Sequence, residues 1–409
     1  MRPEFQRWLR IGIVNLVIVV FLGVILRYKI AFALPFVDQK NLLQGHSHFA
    51  FAGWITQVLM TLLVLYLDGH GVGNALKKYK WILTANLVTA YGMLISFPIE
   101  GYATISIIFS TLSIFVSYAF AILFCRDLKK VKGDLVSKLW LRVAVIFNAL
   151  SSLGAFSLAY MMATHVMHEK FYLAAIYFFL HFQYNGWFFF AVIGLWISKL
   201  ETYGIKSDSL RKSFWLFFLA AMPAYFLSVL WLKIPVWMYL IIVISALVQV
   251  VGWWKIVRVV MESKSQLRNE ISLAAGRLFK LSALALTLKL LLQVGSTYPS
   301  LSQLAFGFRP IVIGYLHLVL LGVITLFLIA WIVTENGIVL NLTSIRGIAV
   351  FAVGIIINEL FLMFQGVCGM KTINVPGINE MLFVTALILF GGVLMLLVGQ
   401  FQFRKNVFK

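Results

Sequence analysis

Acidic side chains are scarce in this chain: 14 Asp and Glu stand against 34 Lys and Arg, and charged residues of both signs make up 12% of the 409 residues. A water-soluble domain carries about 25% charged residues. There is too little polar surface here to cover a soluble fold of this length. Cysteine is nearly absent as well. Cys125 and Cys368 lie at the ends of different apolar runs, with no CxxC and no CxxCH, which excludes a disulfide framework, a thiolate metal site and a c-type haem attachment. The short alternating segments of a β-barrel are missing too. So is any loop long enough to fold as a separate domain.

What the chain has is apolar length. It is 62% hydrophobic, and runs near 8–28, 42–68, 80–99, 103–125, 139–163, 172–199, 213–232, 235–258, 273–295, 309–334, 345–368 and 380–403 each suit a bilayer span, which needs about 20 residues. In hydrocarbon every backbone group must be paired within its segment, so helices follow. The expected class is all-α integral membrane, a single domain over 1–409 with twelve transmembrane helices. The run at Trp8–Leu26 lacks a convincing cleavage site and reads as a retained first span.

The net charge of +20 suggests nucleic acid in a soluble protein. Here the basic residues sit in short loops, so topology accounts for them and no nucleic-acid partner is expected. With the N-terminus inside, 26 Lys and Arg fall on the inner side, Lys77, Lys78, Lys80, Lys129, Lys130, Lys132, Arg258, Lys264, Arg268 and Lys405 among them. Seven fall outside: Arg27, Lys29, Lys40, Lys170, Lys233, Arg309 and Lys371. Lys289 lies within a span. By the positive-inside rule both termini are cytoplasmic.

Three spans share a pattern. The second reads His48-Phe-Ala-Phe-Ala-Gly53-Trp54, the sixth His181-Phe-Gln-Tyr-Asn-Gly186-Trp187, and the tenth His317-Leu-Val-Leu-Leu-Gly322-Val323. The histidines are 133 and 136 residues apart. Self-similarity at a fixed period speaks to architecture: three pseudo-repeated four-helix units, roughly 1–135, 136–270 and 271–409. All three histidines fall about 10–15 Å below the outer helix ends at 1.5 Å per residue. A histidine in a span serves as polar glue between helices or as a metal ligand, since neutral imidazole binds iron, copper or zinc without burying a charge. The glycine five residues on leaves room for a macrocycle or eases helix packing. Trp54 and Trp187 are placed near a cofactor by the same spacing.

These residues resemble subunit I of the haem-copper oxidases, in span number, in the three-unit arrangement and in histidines on helices two, six and ten. Gly45-His46-Ser47-His48-Phe49 resembles the segment carrying a low-spin haem ligand, and Tyr315-Leu316-His317-Leu318 resembles the His-x-His motif of helix ten. The resemblance implies a low-spin b-type haem on His317 and either His46 or His48; the repeat favours His48, the family's Ala-His-small pattern His46. It implies electron transfer, or reduction or sensing of a small gas such as oxygen or nitric oxide. A quinol or cytochrome would be the donor, with additional membrane subunits, in a bacterial cytoplasmic membrane. Arg309 and Lys371 would lie where haem propionates emerge.

The oxygen-reducing centre departs from the family. Helix seven, Ser213–Leu232, has no His where the family has a copper-binding pair. Tyr315 replaces the high-spin haem ligand. His181 matches the third copper ligand, but the position four residues on is Asn185, with Tyr184 before it. Copper at His181 is left open. The helix-two His-x-His also resembles the NnrS family of twelve-span haem-and-copper proteins. The competing expectation is a transporter or channel with a His-lined polar path, in which Gln183, Asn185, Lys289 and Glu359 would take part. Lys289 and Glu359 would then form an ion pair or touch a cofactor. His165 and His168 would share a face and suit a metal if their turn is helical. Glu100 reaches water, and His70 sits on an inner loop.

Overall fold

The computed structural model describes residues 2–166, 168–232, 234–299, 301 and 308–402; Lys233 and Lys405 lie outside them. The described residues are 85% helical, and among them there is no strand. Twelve helices there are long and apolar enough to cross a membrane: α1 Pro3–Ala31, α2 Gln39–Gly69, α3 Ala75–Glu100, α4 Thr104–Leu128, α5 Val136–Ala163, α6 Glu169–Thr202, α7 Asp208–Val229, α8 Val236–Glu262, α9 Leu273–Gly295, α10 Arg309–Thr334, α11 Leu342–Met370 and α12 Ile378–Gln402. At 1.5 Å per residue, the 31 residues of α2 extend about 46 Å, past the hydrocarbon layer of about 30 Å.

Short polar connections start these helices. Asp38 caps α2 by accepting from the Asn41 N–H at 2.7 Å, and Asn341 caps α11 by accepting from the Ser344 N–H at 2.8 Å. Glu201, near the end of α6, accepts from the Val136 and Ser137 N–H groups at the start of α5 and from Ser137 Oγ. A carboxylate there meets both the unpaired donors and the positive end of the helix dipole. Glu100 does the same for α4, accepting from the Ser106 N–H at 2.6 Å.

The helices pack into two compact units, one of Met1–Phe120, Leu273–Leu281 and Thr325–Lys409, the other of Ala121–Ser272 and Ser282–Ile324. Three of the four boundaries run through helices, α4, α9 and α10, so the units follow packing and do not coincide with the repeat boundaries read from spacing. In the first unit α1 packs on α2 and α12, α2 on α3, and α11 on α12. A Cβ on Gly347 would lie 2.7 Å from the Gly392 carbonyl oxygen, and one on Gly392 2.6 Å from Phe351 N. Side-chain-free approach of this kind holds helices together in lipid, where apolar burial offers no driving force. In the second unit α5 packs on α6 and α7 on α8.

Candidate functional site

The two histidines of α2 face different neighbours. They are two residues apart, which turns them about 200° around a helix. His46 faces α1: its Nδ1 lies 3.1 Å from the Val19 carbonyl oxygen. A carbonyl only accepts, so Nδ1 carries the proton and the basic lone pair sits on Nε2. Gly23, one turn beyond Val19, faces the ring; a Cβ there would make an ordinary contact, 3.6 Å from His46 Cε1. Arg27, one further turn along α1, is close enough to act electrostatically on His46 and on Glu359 of α11. His48 faces α3. Its ring stacks on Phe97 at 4.3 Å, and its Nε2 lies 3.0 Å from the Tyr102 hydroxyl. Gly45 lets α3 come this close, because a Cβ there would sit 2.8 Å from the Pro98 ring.

In the second unit His317 also has its Nδ1 on a main-chain carbonyl, but of its own helix: it donates to the Ile313 carbonyl oxygen at 2.8 Å, which again puts the lone pair on Nε2. Metal-ligating histidines are usually held by this kind of bond, which fixes the ring and its tautomer.

His181 is different. It is buried, with Nε2 donating to the Ala221 carbonyl oxygen at 2.9 Å and Nδ1 accepting from Asn185 Nδ2 at 3.2 Å. The Ala221 carbonyl is available because α7 tightens at Tyr225, whose N–H bonds to Met222 and Pro223 instead. One tautomer therefore satisfies both ring nitrogens of His181 with protein partners. Tyr315 and Tyr184 meet edge-on at 6.4 Å in the same unit.

Within two residues of each repeat histidine the helix widens into a π-helical segment: Ala50–Thr56 in α2, Phe182–Phe188 in α6 and Leu318–Thr325 in α10. Such widenings cost backbone pairing and gather at functional sites. Side chains from neighbouring helices repair the pairing. Asn15 Nδ2 donates to the Gly53 carbonyl, Asn86 Nδ2 to the Ala52 carbonyl at 3.0 Å, and Ser282 Oγ to the Val323 carbonyl at 2.7 Å. Tyr91 donates to Asn15 Oδ1 at 2.7 Å, and Asn86 also donates to Gln57 Oε1 at 2.8 Å. The repeat glycines serve packing. A Cβ on Gly186 would lie 2.8 Å from Phe147, one on Gly322 3.1 Å from Ala285, and one on Gly53 would strike the ring of Phe49.

The remaining candidates stand as follows. Trp54 is buried and donates from Nε1 to Thr325 Oγ1 at 3.0 Å, with its ring against Gly12. Trp187 is fully buried. Arg309 is exposed at the first residue of α10, and Lys371 is exposed just past α11. Lys289 is buried and donates to Gln293 Oε1 at 2.6 Å; Gln293 donates to Gln249 at 3.1 Å. Glu359 accepts from Asn358 at 3.1 Å. Each of these charges is thus met by an amide of its own unit. Gln183 donates to Asn148 and Ser151.

His165 has a left-handed backbone, φ 55°, between the end of α5 and the start of α6. His168 is extended, so neither residue has the helical backbone that the shared face for a metal pair requires. Among the described residues no group of three or more His, Cys, Asp or Glu is placed to hold a metal ion. His70 donates to the Tyr66 carbonyl at 2.8 Å. α6 begins three residues before its apolar run, so His181 lies about 18 Å from its start, against about 14 Å for His48 and 12 Å for His317. Arg27 and Tyr102 were not singled out from sequence as site residues, since an isolated Arg or Tyr near a span end carries no signal of its own. Compared with known proteins, the chain matches no family model and no curated protein.

Proposed function

We propose that this chain is a membrane haem protein of the haem-copper oxidase subunit I type, with His46 and His317 as ligands to a low-spin b-type haem. The observation that carries this reading is the bond the two share: Nδ1–H donated to a main-chain carbonyl, at 3.1 Å for His46 and 2.8 Å for His317. Both rings are fixed in the tautomer whose Nε2 is basic, the donor an axial ligand needs. His48, stacked on Phe97 with Nε2 at the Tyr102 hydroxyl, is read as a packing residue. Arg27 lies within electrostatic reach of His46 and suits a haem propionate. When bound, a bis-imidazole haem supplies one-electron redox chemistry. The chain's part is to hold the rings, exclude water and satisfy its own widened backbone.

A copper ion does not fit at His181, whose two ring nitrogens both serve Ala221 and Asn185. Electron transfer is therefore favoured over four-electron oxygen reduction, with a quinol or a cytochrome as donor. We read the chain as three four-helix units with both termini cytoplasmic, in a bacterial cytoplasmic membrane. The three π segments, each beside a repeat histidine, support the units, and the basic loops support the orientation.

The test is the visible spectrum of the detergent-purified full chain, oxidised and then dithionite-reduced, from cells supplied with haem. A Soret band with sharp reduced α and β bands is expected. His46→Ala and His317→Ala should lose it, and His48→Ala should keep it. A colourless parent would overturn the reading. It would favour a polar path through the second unit, where Lys289, Gln293 and Gln249 form one buried chain and Gln183, Asn148 and Ser151 another.

A further inference from the structure

The least buried of the twelve spans is α4. Only 11% of its apolar window is buried, against 33–83% for the others. Its contacts with α3 include two that frame a groove. Near one end Tyr79 meets Phe120 edge-on at 5.7 Å, and further along the Phe109 ring seats against Gly92. Between these contacts the helices stand apart, leaving an open groove of about 690 Å³ lined by Ala85, Val88, Leu112 and Val116 with Thr84 and Thr89. At its mouth stand Lys77, Lys80 and Trp81, all exposed.

The order of these residues along α3 matters. Lys77, Lys80, Trp81, Thr84 and Val88 follow helical spacing and form one stripe. Its charged end carries two ammonium groups beside an indole, the residue type that marks the headgroup level of a bilayer. Its apolar part then runs inward. From Lys77 to Val88 is about 16 Å at 1.5 Å per residue. That is about half of the 30 Å hydrocarbon layer. The Phe109–Gly92 contact closes the groove about 6 Å beyond Val88.

We propose that this groove binds an anionic phospholipid, with one acyl chain between α3 and α4 and its phosphate on Lys77 and Lys80. The two lysines complement a negative headgroup, and basic sites between helices hold such headgroups in membrane proteins. A depth of one leaflet fits an acyl chain. A partner transmembrane helix would need a groove that continues across the bilayer. Lys78 points elsewhere, over the Tyr79 ring at 5.8 Å, so the pair on the stripe is specific to the groove.

The experiment measures thermal unfolding of the detergent-purified full chain with added dioleoylphosphatidylglycerol or dioleoylphosphatidylcholine. The anionic phosphatidylglycerol should stabilise the parent more. Lys77→Glu/Lys80→Glu should lose that preference, with apparent affinity down roughly tenfold or more. The milder Lys77→Gln/Lys80→Gln should lose most of it. A control pair on other basic positions, Lys206→Glu/Lys212→Glu, should keep it. Ala85→Trp, which fills the groove, should weaken stabilisation by both lipids. Equal stabilisation of the parent by the two lipids would overturn the proposal. So would an unchanged preference in the Lys77/Lys80 variants, an equal loss in the control pair, or no effect of Ala85→Trp. A shift of the same size from glycerol 3-phosphate alone would make this a free-phosphate site and overturn the lipid assignment. None of these readouts depends on haem.

Discussion

At the scale of single residues, ring orientation separates two histidines that spacing alone could not. His46 sits against Gly23 with its Nδ1 on the Val19 carbonyl. Gly23→Ala should be tolerated, because the new Cβ would stand 3.6 Å from Cε1, an ordinary contact. Gly23→Leu should push the ring off its carbonyl and shift or broaden the reduced α band, while Gly23→Ala leaves it in place. An unchanged spectrum in Gly23→Leu would remove His46 from the ligand set. Asn86 acts on the backbone: it serves both the Ala52 carbonyl and Gln57, so Asn86→Ala should cost about 1–2 kcal/mol, the range for side-chain hydrogen bonds between membrane helices. A fall in melting temperature in detergent reads this out, and no fall would mean that the widened turn needs no support. Outside the membrane, Arg211 holds the Asp134 carboxyl below its ordinary range through a 2.7 Å bond. The unfolded chain then binds that proton more readily, so the pair's stabilisation is present above the ordinary carboxylate range and lost as pH falls through the lowered one. Asp134 is exposed and the effect is small. Melting curves of the parent and Asp134→Asn should differ slightly at neutral pH and converge on acidification; a constant gap would assign the difference to something else.

At the scale of elements, the helices themselves were legible but their widening was not. Length and hydropathy alone placed α9 and α10 at 273–295 and 309–334, the limits the structure has. Polar helix starts such as Asp38, Ser207 and Asn341 carried α2, α7 and α11 outward past their apolar runs, since caps and interfacial turns are not hydrophobic. A π segment leaves no such trace. Ala50–Thr56 is as apolar as any turn of α2, and what makes it possible lies on other helices, at Asn15 and Asn86. The repeat of His, four residues and Gly marked the right places without revealing their backbone. A widened turn holds one residue more than the α-helical ladder needs. Deleting Phe51 should therefore restore regular pairing and turn the Gln39 end of α2 by about 100° relative to the rest. Helix content by circular dichroism should stay the same, while His46 and His48 change neighbours and the haem spectrum is lost. If the spectrum survives the deletion, the widened turn does not aim the histidine.

For the whole molecule, the signal that survives without relatives is the balance of charge against apolar length. It is strong because the bilayer punishes each error: an unpaired backbone group or a misplaced lysine costs several kcal/mol in hydrocarbon. The same physics leaves the function harder to read, because a histidine that ligates and one that glues helices satisfy the membrane equally well. His181 and His317 differ in burial and in what their ring nitrogens touch. The proposed orientation rests on the loops, since 26 of the 34 Lys and Arg fall on one side when α1 starts inside. Lys132 and Lys170 are both exposed and bracket α5 alone, and Lys206 follows α6. After Cys125 and Cys368 are replaced by Ala, a membrane-impermeant maleimide applied to intact spheroplasts should label Lys170→Cys. It should reach Lys132→Cys and Lys206→Cys only after permeabilisation. The reverse pattern would invert the protein and place the basic loops outside, against the positive-inside rule. Labelling of Lys132→Cys and Lys170→Cys from the same side would mean that α5 does not cross, and the count of twelve would fall with it.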